Sequence, residues 1–303
     1  MKYFVRQMIL GPTAILPIEP ERYYSLSKSR DALVAAKAIE EKYDLMIANY
    51  LEFEKELLVQ VSNQMVLSKN SYDDFYEIKT ILNRRIVNLL TSTKLYYDQM
   101  KRKVRQCDLK EENLEYAAIQ CFSREYDSCF EYRFMENLRN YVQHCGLAIH
   151  SFSLPSFWEG EDGSQLMVNK LKIHSTKSEL GQDPKFSKRP VFKECSDAIE
   201  LVFAIRAYVE CMSTVHSDIR DLIEPNVNRA RADIEDILSD YKQVNSNDTV
   251  GTYAYGVASG NPWDKVESKL PLLLDWDNVR ISLKAKNKKL TKLSKRYVSG
   301  NCL

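Results

Sequence analysis

The chain has 303 residues, of which 44% are hydrophobic and 11% aromatic, so it can bury a sizeable core and disorder throughout is excluded. Its formal charge of +1 gives no overall attraction to nucleic acid, and no apolar run reaches the ~18 to 20 residues that a membrane span needs. Nine glycines and nine prolines are few for this length, which favours helices over a strand-rich fold. We therefore expect a soluble, mainly α-helical protein.

Cysteine usage and charge distribution give two further expectations. Seven cysteines are scattered without a CxxC pair, and no signal-peptide pattern precedes them, so we interpret them as reduced thiols of a cytoplasmic protein. No spacing of Cys and His predicts a metal site. Eight Lys and Arg residues lie between Arg280 and Arg296, with no acidic residue after Asp277. This basic tail is either a solvated helix face or an arm that contacts RNA.

The N-terminal half predicts a strand and two long helices. The first twenty residues mix β-branched residues with glycine and proline, which indicates a short strand and an extended lead-in. Apolar residues then recur every three or four positions over residues 31–65, as in an amphipathic helix. A second helix should run from Ser71, which Asp74 can cap reciprocally, to about Arg105. Two neighbouring helices of this length predict an antiparallel pair.

A third helix is predicted from Glu125 to Cys145, with Gly146 as an ordinary C-terminal stop. Residues 151–195 differ in kind, because prolines, glycines and an alternating segment at 166–173 indicate an insertion with a strand or hairpin. That strand could pair with the N-terminal strand.

Helix should resume after Ser196 as its N-cap, break or kink at Pro225 and continue to about Val244. The turn-rich stretch that follows makes the end of the chain peripheral. We therefore expect a single domain over residues 1–303. Its parts are a helical core at 27–145 and 196–245, an insertion at 146–195 containing β structure, and a C-terminal segment at 246–303 that carries the basic tail.

The predicted third helix has two contrasting faces. At about 100° per residue, one side is wholly polar and the opposite side is apolar and suited to the core. The polar face holds Glu136, Arg139, Asn140, Gln143 and His144. The apolar face holds Phe134, Met135, Leu138, Tyr141, Val142 and Cys145.

Arg139-Asn140 followed by His144, near a helix end, resembles the ribonuclease-type signature of the HEPN superfamily: Arg-x(4 to 6)-His with a polar residue, often Asn, after Arg. The helix order is similar too, since HEPN domains are bundles with two long antiparallel helices and the motif at the end of the third. The resemblance covers only the predicted helical core. One toxin subgroup carries a Tyr two residues after the His, where this chain has Gly146, so its control by nucleotidyl transfer is not expected here.

The resemblance implies a metal-independent endoribonuclease without cofactor, in which a 2′-hydroxyl attacks the adjacent phosphate and leaves a cyclic phosphate. His144 would transfer protons, because imidazole titrates near neutral pH. Arg139 would bind the phosphate and stabilise developing charge, and Asn140 would hold the imidazole or a phosphate oxygen. Glu136 and Gln143 would support the site, with Glu136 either orienting Arg139 or forming a surface ion pair.

The expected partners are an RNA substrate, a second copy in a homodimer, and an antitoxin or other regulatory protein. The expected biological role is that of a toxin or antiviral defence effector. The alternative is a non-catalytic helical module that binds RNA, a nucleotide or a protein through the same polar face. His150, His174 and His216 are interpreted as structural residues.

Overall fold

A computed structural model of the chain describes residues 1–245 and 248–298, and the seventh cysteine, Cys302, lies outside them. The helices are α1 (Pro20–Leu67), α2 (Tyr72–Cys107), α3 (Leu114–Ser128), α4 (Phe130–His144), α5 (Lys177–Gly181), α6 (Pro184–Ser187), α7 (Pro190–Glu194), α8 (Leu201–Val244) and α9 (Asp275–Lys286). The strands are β1 (Lys2–Gln7), β2 (Leu16–Ile18), β3 (Ser151–Ser153), β4 (Ser156–Glu159), β5 (Leu166–Asn169), β6 (Lys172–Thr176), β7 (Ala198–Glu200), β8 (Thr252–Val257) and β9 (Val266–Pro271). The mainly helical class is thus confirmed. No helix in the described ranges is long and apolar enough to cross a membrane.

The chain folds as two compact units. The first comprises Met1–Glu41, Gln99–Ile119 and Asp218–Lys288, and the second comprises Lys42–Asp98, Gln120–Ser217 and the described residues from 289 onwards.

The first unit contains an antiparallel sheet of order β2-β1-β8-β9. Phe4 of β1 lies opposite Tyr255 of β8, and both side chains are buried. The expectation that β1 pairs with the 151–195 insertion is therefore wrong. Strands β8 and β9 were not predicted, because the stretch 245–271 is rich in turn residues, although its first strand, TYAYGV, is mostly buried.

Part of the basic tail is folded into the first unit. Asp277 in the first turn of α9 is fully buried and accepts hydrogen bonds from Arg280 (2.7 Å) and Arg231 (2.6 Å). Lys284, one turn further on, forms an ion pair with Glu224 of α8. These cations of the predicted tail are therefore structural.

In the second unit, α1 and α2 run antiparallel. The ring of Tyr43 lies 6.0 Å from that of Tyr96, and Arg85 forms an ion pair with Glu56 at 3.2 Å. An earlier residue of α1 thus contacts a later residue of α2, and the reverse, as in an antiparallel pair. The predicted cap of α2 is confirmed. The Ser71 amide donates to Asp74 Oδ2 at 3.0 Å, and the Asp74 amide donates to Ser71 Oγ at 3.1 Å.

His216 is a core residue of the second unit, as predicted. It is 1% exposed, its ring stacks on Tyr43 at 3.7 Å, and its Nδ1 lies 2.8 Å from the Tyr96 hydroxyl. Such a ring is fixed by its neighbours and unavailable to a substrate.

The third predicted helix is in fact two helices. Cys129 between α3 and α4 has extended backbone angles, φ −121° and ψ 118°. No glycine or proline marks this break. Arg133 stabilises it, because its guanidinium donates to the carbonyls of Tyr126 (2.9 Å) and Asp127 (2.8 Å), two of the acceptors that the end of α3 leaves unpaired.

The start of α8 also differs from the prediction. The Ser196 hydroxyl bonds to Ala198 O, and the chain first forms β7 before the helix begins at Leu201. Glu200 is the cap, since its carboxylate accepts from the amides of Val202 and Phe203 at 3.0 and 2.8 Å.

Pro225 does not break α8, which is continuous from Leu201 to Val244. Pro225 and Asp221, the residue whose carbonyl loses its helical donor, are both exposed. Water can therefore bond to that carbonyl, which reduces the cost of an interior proline.

The insertion contains more structure than one hairpin. Its strands β3 and β6 form a three-stranded sheet with β7, which follows the insertion, and its strands β4 and β5 form a separate hairpin. The short helices α5, α6 and α7 follow, and α6 and α7 each begin with a proline. These two helices lie beside the end of α4, as described next.

Candidate functional site

The candidate site lies at the C-terminal end of α4. Phe134, Met135 and Leu138 of this helix are fully buried and Tyr141 is nearly so, as predicted for the apolar face. Two other predicted core residues differ: Val142 is only half-buried, and Cys145 is exposed because the helix ends at His144. The buried side fixes α4 in the second unit and leaves its polar side accessible.

The end of α4 is shaped by a contact between Gly146 and Tyr141. The amides of Cys145 and Gly146 both bond to the Tyr141 carbonyl, at 2.8 and 3.3 Å. Gly146 is not among the glycines with positive φ, so it is not the left-handed stop that was predicted. A Cβ at position 146 would lie 2.8 Å from the Tyr141 hydroxyl oxygen. Any larger residue at 146 would therefore require the Tyr141 ring to shift.

Arg139 lies along the surface of α4. Its guanidinium donates to Asn140 Oδ1 at 2.8 Å and to Gln143 Oε1 at 3.1 Å, and Nε lies 4.0 Å from Glu136 Oε2. Only 13% of the side chain is exposed, and Nε is buried without a hydrogen-bond partner among the described residues. The structure thus brings together four of the five predicted site residues around one guanidinium.

Glu136 is itself held by a buried tyrosine of α8. The Tyr208 hydroxyl donates to Glu136 Oε1 at 2.6 Å. Burial, followed by the negative charge of Glu136, raises the pKa of Tyr208 well above its ordinary value, so this hydroxyl keeps its proton. Glu136 therefore faces Arg139 with one oxygen and is anchored by the other.

His144 and Asn140 line a pocket of about 220 Å³. Its other lining residues are Asn137, Tyr141, Cys145, Asp183, Lys185, Phe186 and Arg189. His144 is exposed and makes no hydrogen bond or ion pair with any described residue. Arg139, Gln143 and Glu136 do not line this pocket. The predicted site therefore has two parts: His144 and Asn140 lie in the pocket, and Glu136 and Gln143 lie around Arg139. The hydrogen bond between Arg139 and Asn140 links the two parts.

Two cations in the pocket were not predicted. Lys185 of α6 and Arg189, which precedes α7, are exposed, and neither side chain has an ion pair within the described ranges. The sequence carries a signal for them, because Lys185, Lys188, Arg189 and Lys193 crowd into nine residues of the insertion.

Asp183 is the one carboxylate in the pocket lining, and its oxygens are already engaged. It caps α6 by accepting from the amides of Lys185 and Phe186, both at 3.0 Å. These backbone hydrogen bonds lower its pKa, so it stays ionised. Desolvation and a hydrogen bond to Asp183 raise the pKa of the adjacent Cys145 thiol. Lys185 and Arg189 remain available to an incoming anion.

No group of three His, Cys, Asp or Glu residues in the described part of the chain is arranged to hold a metal ion. His150 belongs to the insertion, where its Nδ1 accepts from the Thr176 amide at 2.9 Å. The six described cysteines are free thiols.

Comparison of the chain with protein-family models finds no matching family, and comparisons with curated proteins and with solved structures find no significant match.

Proposed function

We propose that the chain is a metal-independent endoribonuclease of the HEPN type, with its active site in the pocket at the end of α4. The observation that carries the proposal is the set of side chains that line the same pocket as His144. This exposed imidazole shares a 220 Å³ pocket with the Asn140 amide and with two cations, Lys185 and Arg189, that have no ion pair among the described residues. A proton-transfer group beside free cations suits cleavage of a phosphodiester.

The proposed reaction is an internal displacement at phosphorus. The 2′-oxygen forms a bond to phosphorus as its proton passes to a neutral imidazole, and the bond from phosphorus to the 5′-oxygen breaks as an acid protonates that oxygen. The products are a 2′,3′-cyclic phosphate and a 5′-hydroxyl. Lys185 and Arg189 bind the phosphate oxygens and offset the charge that develops on them.

For Arg139 we propose a positioning role in place of direct phosphate binding. Because it does not line the pocket, we propose that its 2.8 Å hydrogen bond orients the Asn140 amide, whose NH₂ group then faces the phosphate or His144. Glu136 and Tyr208 hold the Arg139 side chain in place. Rotation of the guanidinium out of this network would add a third cation to the pocket.

One copy of the pocket contains one imidazole, that of His144, whereas the displacement needs both a base and an acid. We therefore propose a homodimer in which His144 of a second copy supplies the other proton transfer. The biological role that fits such an enzyme is that of a toxin or antiviral effector held in check by an antitoxin or another regulatory protein.

The decisive experiment is cleavage of a fluorescently labelled RNA by wild type and by single variants. His144→Ala should lower the rate about a hundredfold to ten-thousandfold. Lys185→Gln should lower it roughly tenfold to a hundredfold, the range for one hydrogen bond to a charged group. Lys188→Gln is the matched control, since Lys188 is equally exposed but does not line the pocket.

Two outcomes would overturn the proposal. The first is cleavage that survives His144→Ala, which would place the chemistry elsewhere. The second is RNA binding without cleavage by the wild type, which would favour the non-catalytic binding module instead.

A further inference from the structure

A second basic pocket lies in the first unit, and it has no part in the proposed cleavage. It has a volume of about 440 Å³, within the range of small-ligand sites. Three parts of the chain line it: the start of α1, the turn that follows α2, and the second half of α8. We name it the α1/α8 pocket.

The charge of this pocket is strongly positive. Arg22, Lys28, Lys110 and Arg229 line it together with a single carboxylate, Asp233, which gives a formal charge of +3. Lys28 and Arg229 are exposed and have neither hydrogen bonds nor ion pairs in the part of the chain that the structure describes. Uncompensated cations on converging elements attract anions.

Asp233 compensates the charge of Arg22 but not that of Lys28, Lys110 or Arg229, because its oxygens are already occupied. One oxygen pairs with Arg22, and the other accepts from the hydroxyls of Ser25 (3.1 Å) and Ser29 (2.8 Å). Arg22 also donates to the Asp233 carbonyl at 3.1 Å. This network fixes Asp233 against Arg22 and the two serines, and the negative charge of the pocket lining is confined to Asp233.

Lys110 is only weakly compensated. Its ammonium lies 3.9 Å from Glu112, and each of these side chains is about half exposed, at 51% and 50%. Ion pairs of this kind contribute little in water. Lys110 is therefore able to turn towards a ligand together with Lys28 and Arg229.

We infer that the α1/α8 pocket binds a compact ligand with two or three linked phosphates, as in a nucleoside diphosphate or triphosphate. The positive charge of the pocket indicates which class of phosphate ligand it would bind. A phosphate monoester carries about −1.5 to −2 at neutral pH, which would leave part of the pocket's charge unmatched. Linked phosphates bring more negative charge into the same volume. Arg229 offers a guanidinium group, which can bind two phosphate oxygens at once.

The test is isothermal titration calorimetry of the full chain at low salt, with inorganic pyrophosphate and tripolyphosphate as probes and orthophosphate for comparison. Pyrophosphate and tripolyphosphate should bind at least tenfold more tightly than orthophosphate. Lys28→Gln and Arg229→Gln should each weaken pyrophosphate binding tenfold or more. The matched control is Lys242→Gln, an exposed lysine of α8 outside the pocket, which should change it less than twofold.

A Lys185→Gln/Arg189→Gln double variant separates this site from the pocket at the end of α4, and it should bind pyrophosphate as the wild type does. Loss of binding in that variant would overturn the inference, as would equal binding by Lys28→Gln and wild type. A single-stranded RNA 12-mer is titrated alongside. If Lys28→Gln weakens RNA binding while pyrophosphate does not bind at all, the ligand is an RNA backbone and the inference fails. Thermal melts of each variant verify that these exposed substitutions leave the fold intact.

Discussion

The hydroxyl of Tyr208 donates a 2.6 Å hydrogen bond to Glu136, whose other oxygen lies 4.0 Å from Arg139 Nε. A fully buried side chain of α8 thus controls the polar face of α4. Because the raised pKa of Tyr208 keeps its proton in place, this hydroxyl remains a donor to Glu136 at neutral pH.

Tyr208→Phe tests whether this contact positions Arg139. The variant should lose about 1 to 3 kcal/mol in the free energy of unfolding, as expected for a hydrogen bond to a charged acceptor. If RNA is cleaved, kcat should fall while KM changes little, because no group that binds the phosphate is removed. Urea melts and steady-state kinetics measure the two effects. A variant that is less stable but has wild-type kcat would make Tyr208 merely structural.

His144→Ala should change the free energy of unfolding by less than about 1 kcal/mol, because His144 is exposed and unpaired in the structure described here. Leu138→Ala on the opposite side of α4 should cost roughly 2 to 5 kcal/mol, since Leu138 is fully buried. Thermal or urea melts compare the two. Equal losses would mean that His144 is part of the core.

Stability should depend on the protonation of His150. Burial, the largest cause, lowers its pKa below the usual 6.5, so the unfolded chain binds this proton more readily than the folded one. Its contribution is therefore present above pH 6.5 and is lost as the pH falls below that value. His150→Asn keeps an acceptor for the Thr176 amide, and it should reduce the difference in unfolding free energy between pH 7 and pH 5. An unchanged difference would contradict this assignment.

The proposed mechanism uses only side chains, so RNA cleavage should continue in excess EDTA. The new 3′ ends should carry cyclic phosphate, which resists a phosphatase until acid opens the ring. Mass spectrometry of the fragments distinguishes these ends. A strict requirement for Mg²⁺ would argue against the mechanism.

If the active site is a composite site, in which two copies of the chain each contribute His144, mixing active and inactive chains should reveal it. Light scattering should give a mass near twice 35.2 kDa. Mixing inactive His144→Ala chains into wild type should then lower activity more than dilution alone, because mixed dimers contain one imidazole instead of two. Full activity in a strictly monomeric protein would exclude the composite site.

The sequence was most informative where one local rule acts alone. The reciprocal cap between Ser71 and Asp74 could be read directly, as could the buried side of α4, because both depend on residues within a turn or two of each other. The break at Cys129 could not be predicted, since it depends on Arg133 reaching back to two carbonyls rather than on a glycine or proline. Pro225 does not break α8, one of the two outcomes expected for it, and the sequence alone does not show that Pro225 and Asp221 are both exposed.

Long-range pairing accounts for the other differences. Nothing local to β1 distinguishes β8 from the insertion as its neighbour, so the partner depends on the path of the whole chain. The pocket at the end of α4 depends on the same kind of information. His144 and Asn140 are separated by one helical turn. Lys185 and Arg189 lie some forty residues further along the chain, and the fold of the insertion brings them beside His144.

The close approach of Gly146 to Tyr141 has an evolutionary consequence. Since a Cβ at 146 would lie 2.8 Å from the Tyr141 hydroxyl, no single substitution can place a tyrosine two residues after His144 without displacing the ring of Tyr141. A side chain at 146 would require the ring at 141 to move aside or to be replaced by a smaller residue. In diverged descendants of this chain, the two positions should therefore vary together, with glycine at one accompanying an aromatic residue at the other.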